Sequence, residues 1–233
     1  MGKKILMSWS SGKDSAWALY CLQQNPAFEV VGLFTTVNDE FERVSMHGVR
    51  VELVQQQAHS LGLPLDIIRL PNPCNNEQYS QLMQTFVENA KARGITAMAF
   101  GDILLEDVRN FREQQLTEAG LEAIFPLWGL ATHLLPQDMF NAGLRALITC
   151  LDPKKVPPHF AGAELSTEVL AALPDGVDPC GENGEYHTFV FDGPMFKHEL
   201  QVQIGDVVTR DGLVFTDLFT DLLAEQQVVS ATQ

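Results

Sequence analysis

Along the first 130 residues the apolar positions alternate between two spacings. Short runs rich in apolar and β-branched residues occur at Ile5–Trp9, Val30–Val37, Leu65–Leu70, Ala97–Asp102 and Ala123–Pro126. Between them, apolar residues recur at helical intervals over Ser15–Gln24, Val49–Leu61, Glu77–Arg93 and Leu105–Ala119. Gly62, Gly94 and Gly120 stand just past three of these helical segments, where a helix commonly ends. Strand–helix alternation of this kind predicts an α/β fold, a doubly wound and mostly parallel sheet with helices on both faces. Such sheets bind ligands at the carboxyl ends of their strands, near the point where strand order reverses.

Beyond Pro126–Gly129 the pattern changes. It predicts a helix at Leu135–Ala142 and a strand at Leu144–Leu151, then an interruption at Pro153, Pro157 and Pro158. A short helix near Ser166–Leu173 precedes the polar, glycine-rich stretch PDGVDPCGENGEYH at 174–187. The remainder reads as β-structure at Thr188–Asp192 and Leu200–Ile204, then VVTRDGLVF, whose Asp211-Gly212 suits a hairpin turn. The expected organisation is a nucleotide-binding domain at 1–129 and a smaller α+β domain at 130–233.

Composition narrows the class. With 45% hydrophobic and 19% charged residues, the 233-residue chain can bury a sizeable core. No apolar run approaches the roughly 20 residues needed to span a bilayer. The apolar run after Lys3 and Lys4 is too short for a signal peptide, so the expected location is cytoplasmic, away from the membrane. The four cysteines form no CxxC pair, which argues against a zinc ribbon, a redox dithiol or a disulfide framework. A net charge of -15, from 30 acidic and 15 basic residues, argues against DNA binding and against a tRNA-modifying enzyme.

The stretch SWSSGKDS at 8–15 follows the first predicted strand and opens the first helix. Backbone N–H groups and the positive end of that helix would surround an anion there. Lys13 adds a charge, and Ser10, Ser11 and Ser15 add hydroxyls. Walker A is excluded, because Asp14 stands where it needs Ser or Thr and Met7 stands where it needs Gly. GxGxxG is absent as well. SSGKDS instead fits the PP-loop pattern SGGxDS of the ATP pyrophosphatases, with Ser11 in place of the first glycine. That loop implies cleavage of ATP between the α and β phosphates.

Three further groups carry candidate chemistry. His47 and Arg50, in VSMHGVR, sit between the second strand and a helix and could reach a phosphate. Gly101 and Asp102 end the fourth strand, where glycine permits close approach and Asp can hold a metal or hydroxyl; Arg109 follows two turns along the next helix. The densest group is Gly181, Glu182, Asn183, Gly184, Glu185 and His187, where paired carboxylates beside a histidine suit acid–base work, magnesium binding or the orientation of an amine. Cys180 reads as a packed thiol.

In this order, SSGKDS at 10–15, GDI at 101–103 with Arg109, PLW at 126–128 and CGENGEYHTFVFDGPMF at 180–196 resemble the diphthine–ammonia ligase family of PP-loop ATP pyrophosphatases. The runs FPLWG, LITCLDP and DPCGENGEYHTF are similar to bacterial members. The resemblance implies an adenine nucleotide α-hydrolase-like sheet with a small family-specific domain. It implies an AMP-forming amide ligase using ATP and Mg²⁺, with ammonia and a carboxylate acceptor as partners. Ser10, Ser11, Gly12, Lys13, Asp14, Ser15, His47, Gly101, Asp102 and Arg109 would bind ATP, with Asp14 and Asp102 also on magnesium. Gly181, Glu182, Asn183, Gly184 and Glu185 would take the acceptor. Lys13, Asp14, Glu182, Glu185 and His187 would act in catalysis. Family analogy also admits a homodimer. The alternatives are a related PP-loop enzyme amidating a cofactor such as a cobalamin precursor, or a nucleotide-binding protein without ligase activity.

Overall fold

The computed structural model describes residues 2–44 and 48–220. Strands β1 (Lys3–Ser8), β2 (Phe28–Asn38), β3 (Arg43–Val44), β4 (Leu65–Leu70), β5 (Ala97–Ala99) and β6 (Glu122–Ile124) alternate with helices α1 (Lys13–Gln23), α2 (Val51–Leu61), α3 (Asn76–Ala92) and α4 (Glu106–Glu118). β1 pairs in parallel with β2 on one side and β5 on the other; β4 extends the sheet beyond β2, and β6 beyond β5. Only the short β3 runs antiparallel, against the end of β2. Strand order therefore reverses between β1 and β5, the switch point at which ligands gather.

The side-chain alternation of β1 explains the two helical layers. Ile5 and Met7 join a core with residues of α1 and α2, whereas Leu6 joins a second core with residues of α3 and α4. A strand buried on both faces reads as a continuous apolar run, as ILM does. Local signals close the helices. Asn75 caps α3 by accepting from Gln78 N, while the Gln78 side chain accepts from Asn75 N. Gly62 ends α2 in the left-handed region, at φ 69°.

The later residues form a four-stranded antiparallel sheet in the order β8–β7–β10–β9, from β7 (Arg145–Leu151), β8 (Tyr186–Asp192), β9 (Val202–Arg210) and β10 (Leu213–Thr220). It packs on the α1 and α2 side. Leu144, Ala146, Phe189, Val190 and Leu218 share one buried cluster with Ile5, Leu19 and Leu53. Two short helices, α5 (Leu135–Asn141) and α6 (Thr167–Ala171), accompany this sheet. No helix among the described residues is long and apolar enough to cross a membrane.

Of the boundaries that differ from expectation, three have a local reason. β5 stops at Ala99 rather than Asp102, because Gly101 turns the backbone against the first turn of α1. β8 starts at Tyr186, so His187 stands on a strand and not in the polar loop. β9 continues to Arg210 where a break after Ile204 was expected; its turn, Asp211 (φ 50°) and Gly212 (φ 82°), has the two positive φ angles of a tight hairpin.

Candidate active site

The chain leaves β1 at the switch point and enters the SSGKDS loop. Ser11 is held at φ 74°, a region that costs a non-glycine residue about 1–2 kcal/mol. Its carbonyl accepts from Val190 N at 2.9 Å and from Gln57 Nε2 at 3.1 Å. Gln57 is fully buried; it also accepts from Trp9 Nε1 at 2.8 Å and donates to the Val190 carbonyl at 2.6 Å. One side-chain amide on α2 thus joins the residue after β1, the loop and β8. The Ser11 hydroxyl is buried without a hydrogen-bond partner. Glycine would relieve both the dihedral and the orphan hydroxyl, so Ser11→Gly is expected to raise unfolding free energy by about 1 kcal/mol. Urea denaturation checks this; a lower midpoint at unchanged slope would refute it.

Helix α1 starts at the position after Gly12, which offers no side-chain acceptor as a cap. Lys13 N donates instead to Thr188 Oγ1 at 3.0 Å. The Lys13 side chain is buried, and its Nζ contacts both Asp14 oxygens at 2.9 and 2.8 Å and the Cys180 carbonyl. Burial opposes its charge, but Asp14, Tyr186 and Cys180 outweigh that penalty and raise its pKa, so it is a fixed cation. Ser15 Oγ donates to the Gly12 carbonyl at 2.9 Å and lies 3.2 Å from Ser10 Oγ.

Gly101 is packed too closely for any side chain. A Cβ there would lie 2.9 Å from Asp14 C and Ser15 N. Asp102 follows, and burial raises its pKa against the opposing charge of Arg112. Arg112 Nε approaches Asp102 Oδ2 to 3.0 Å, yet neither atom has a hydrogen bond of acceptable geometry. The directed hydrogen bond of this pair runs instead from Arg112 Nη2 to Asp102 Oδ1, at 3.4 Å. The expected Arg109 points elsewhere. It pairs with Glu113 at 2.7 Å and lies over the rings of Trp128 and Phe125, 4.6 and 5.3 Å from their centroids.

The polar loop is built around two carboxylates. Asp178 accepts from Cys180 N at 2.8 Å and Thr132 Oγ1 at 2.6 Å. Glu185 is buried and accepts from Asp178 N, Asn183 N and Asn183 Nδ2 at 3.2, 2.8 and 3.0 Å. Both hold the loop's own backbone. Gly181 permits the turn at φ 73°, where a Cβ would meet the Tyr186 carbonyl at 2.7 Å. Gly184, also at positive φ, and Asn183 lie on the exposed side. Cys180 is buried, its thiol pushed up to about 12 chiefly by burial, and Sγ faces the Thr132 carbonyl at 3.5 Å. It is a packed thiol, not a nucleophile.

Glu182 differs from Glu185. Its carboxylate accepts from Leu104 N at 3.3 Å, and its pKa is raised to about 7, first by burial and then by Asp14, with Lys13 opposing. His187 lies in the same field: burial, then Lys13, lowers its pKa against Asp14, so its imidazole is neutral near neutral pH. The raised folded-state pKa of Glu182 means that the native state holds its proton longer than the unfolded chain. Stability from this group is full below about 4.5 and is lost as pH rises through about 7. Glu182→Gln should match the native protein at pH 4 and exceed it by about 2 kcal/mol at pH 8, after discounting for partial exposure. Equal stability at both pH values would count against a strained carboxylate.

Ser10–Ser15, Gly101, Asp102, Glu182 and His187 thus converge at one edge of the parallel sheet. Arg109 is not part of that group, and Glu185 stands behind it. Arg50 is tied to Asp217, with Nε to Oδ1 at 3.1 Å, while His47 lies outside the described residues. Local patterning carried no signal for Gln57, Arg112, Asp178 or Thr188, whose roles arise from contacts made only in the folded chain. Asp14 and Asp102 each face a cation, and among the described residues no three His, Cys, Asp or Glu groups meet to hold a metal ion. Magnesium usually takes one or two protein carboxylates and completes its shell with substrate phosphates and water, so Asp14 and Asp102 are the residues that would hold it.

Residues 2–123 match the family described as diphthamide synthase N-terminal domain, and residues 137–213 match diphthamide synthase C-terminal domain. The chain is similar to diphthine–ammonia ligase of Danio rerio, 26% identical over 227 residues covering 88% of this chain and 89% of that protein. It is similar to the Bos taurus protein of the same name, at 25% identity over 94% of this chain and 91% of the other. The Homo sapiens protein of that name matches at 24%, over 95% and 92%. The SSGKDS loop falls in the first matched segment, the Glu182 loop falls in the second, and the chain belongs to the diphthamide synthase family.

Proposed function

We propose that this chain is an ATP-dependent ligase that forms a C–N bond, as the names of its relatives indicate for them. A carboxylate attacks the α-phosphate of ATP, pyrophosphate departs, and ammonia attacks the acyl-adenylate to give an amide, AMP and a proton. The observation that carries this reading is the union of two motifs 167 residues apart. Lys13 Nζ is held on the Cys180 carbonyl, so the phosphate loop and the Glu182 loop face one space. An adenine nucleotide α-hydrolase-like sheet at 1–129 and an acceptor-side domain at 130–233 complete the proposal.

The start of α1, which has no side-chain cap from its own N-cap residue, and the buried, unpartnered Ser11 hydroxyl are the kind of donors that an anion completes. Ser10, Ser11, Gly12, Lys13, Asp14 and Ser15 would hold the phosphates. The fixed charge of Lys13 would stabilise the departing pyrophosphate. Gly101 and Asp102 would flank the nucleotide. Glu182, half-protonated near neutral pH, and neutral His187 are suited to take the proton that ammonia releases. Asn183, Gly181 and Gly184 would meet the acceptor, while Glu185 positions them. Arg109 would act only through Trp128, and Asp14 and Asp102 would hold the magnesium that accompanies the nucleotide.

The test is to incubate the protein with α-labelled ATP, ammonium chloride and a diphthine-bearing acceptor, then to resolve the nucleotides. AMP and pyrophosphate in equal amounts with amide are the expected result. Release of ADP and phosphate alone would sink the assignment of the loop.

A further inference from the structure

The antiparallel sheet ends on an open edge. Among the described residues β9 pairs only with β10, so one side of its backbone is free. Such an edge is a template for a further strand unless prolines, charges or a covering segment guard it. β9 contains no proline, and its Ile204, Val207 and Val208 are 53, 51 and 36% exposed. Its only charges are Asp206 and Arg210. Among the described residues neither of them pairs with an opposite charge.

The hairpin decides which backbone groups face outwards. Its turn has two residues, Asp211 and Gly212, both at positive φ, so the flanking Arg210 and Leu213 exchange both of their hydrogen bonds. Alternation then turns the N–H and C=O of Val208 towards Phe215, and those of Val207 and Thr209 towards solvent. We propose that β9 pairs antiparallel with β9 of a second copy of this chain, about a twofold axis at Val208. In that register Val207 of each copy exchanges hydrogen bonds with Thr209 of the other, and Asp206 lies opposite Arg210. Directly opposite side chains of such a non-hydrogen-bonded pair approach most closely in a sheet.

The neighbouring registers lose this match. An axis at Val207 sets Asp206 against Val208, and an axis at Thr209 sets Arg210 against Val208. One step further sets Asp206 against its own copy, or Arg210 against its own. Self-complementary charge is what an isologous contact requires, and it selects a second copy over an unrelated peptide. Two four-stranded sheets would join across the axis, with β8 and its His187 at the edge far from it. The dimer therefore covers neither candidate active site. The inference rests on β9 and not on the ligase reading.

Sedimentation equilibrium of the full chain at increasing concentration should show a reversible monomer–dimer equilibrium. Asp206→Arg and Arg210→Asp each set like charges opposite one another at both symmetry-related positions, and each should raise the dissociation constant about tenfold. Mixed in equal amounts, the two variants should dimerise with each other, since every facing pair is then of opposite sign. Both positions are exposed, so urea unfolding of each variant should match the native chain. Val207→Pro removes an outward N–H while leaving the hydrogen bonds to β10, and should abolish the dimer. A chain that stays monomeric at every concentration, or a dimer indifferent to Val207→Pro, would overturn the proposal. So would charge variants that fail to weaken the dimer, or that weaken it and do not recover on mixing.

Discussion

Gly101→Ala is expected to lower unfolding free energy by about 3 kcal/mol and to abolish nucleotide binding. The added methyl would sit 2.9 Å from Asp14 C and Ser15 N and 3.0 Å from Asp14 O, closer than real Cβ contacts. All three atoms belong to the backbone of α1's first turn, so no side chain can swing aside. Overpacking of this kind costs about 1–3 kcal/mol, and rigid backbone on the far side places this case at the upper end. Relief requires α1 to move away from the end of β5. That motion would carry Lys13 off Thr188 and Cys180, and the phosphate loop would lose its shape. Urea unfolding measures the first effect and calorimetric titration with ATP the second. A variant with native stability and native affinity would show that the close approach is not obligatory.

Lys13→Met is expected to reduce AMP formation about 10³-fold, the scale for losing a donor aimed at developing negative charge. Methionine matches much of the buried stem, so the change removes a charge more than a volume. The carboxylate of Asp14 then loses its partner, with Glu182 and His187 in the same field. The sign of the electrostatic effect is fixed. Lys13 holds down the pKa values of both Glu182 and His187, so both must rise when it is removed. NMR titration of His187 reads this without any turnover assay. A raised His187 pKa with undiminished AMP formation would separate the electrostatics from the proposed chemistry. An unmoved His187 would refute the electrostatics themselves.

These effects depend on contacts that local patterning encodes unevenly. The apolar periodicity of Ile5–Trp9 and of Val49–Leu61 was enough to place a buried strand and a helix, because burial on given faces dictates those spacings. It could not end β5 at Ala99, since that end is set by Gly101 meeting α1. The two glutamates of GENGE are the same residue type in one loop. Two backbone N–H groups of its own loop make Glu185 a brace, whereas burial and the charge of Asp14 make Glu182 a strained acid. Arg109 and Arg112 lie one turn apart on α4, and counting turns favoured Arg109. The aromatic rings of Phe125 and Trp128 hold Arg109, which leaves Asp102 to Arg112. Ser11 was visible as a departure from the glycine of the PP-loop pattern, but its positive φ and buried hydroxyl emerge only from the clamp by Gln57 and Val190.

That clamp also sets an order of events during synthesis. Ser11 leaves the ribosome well before Val190, the residue whose amide fixes its carbonyl. Nascent chains that already display all six strands of the first sheet still lack the hydrogen bonds from Val190 and Thr188. The SSGKDS loop of such a chain is unfinished, because its Ser11 carbonyl and Lys13 amide still lack these two partners.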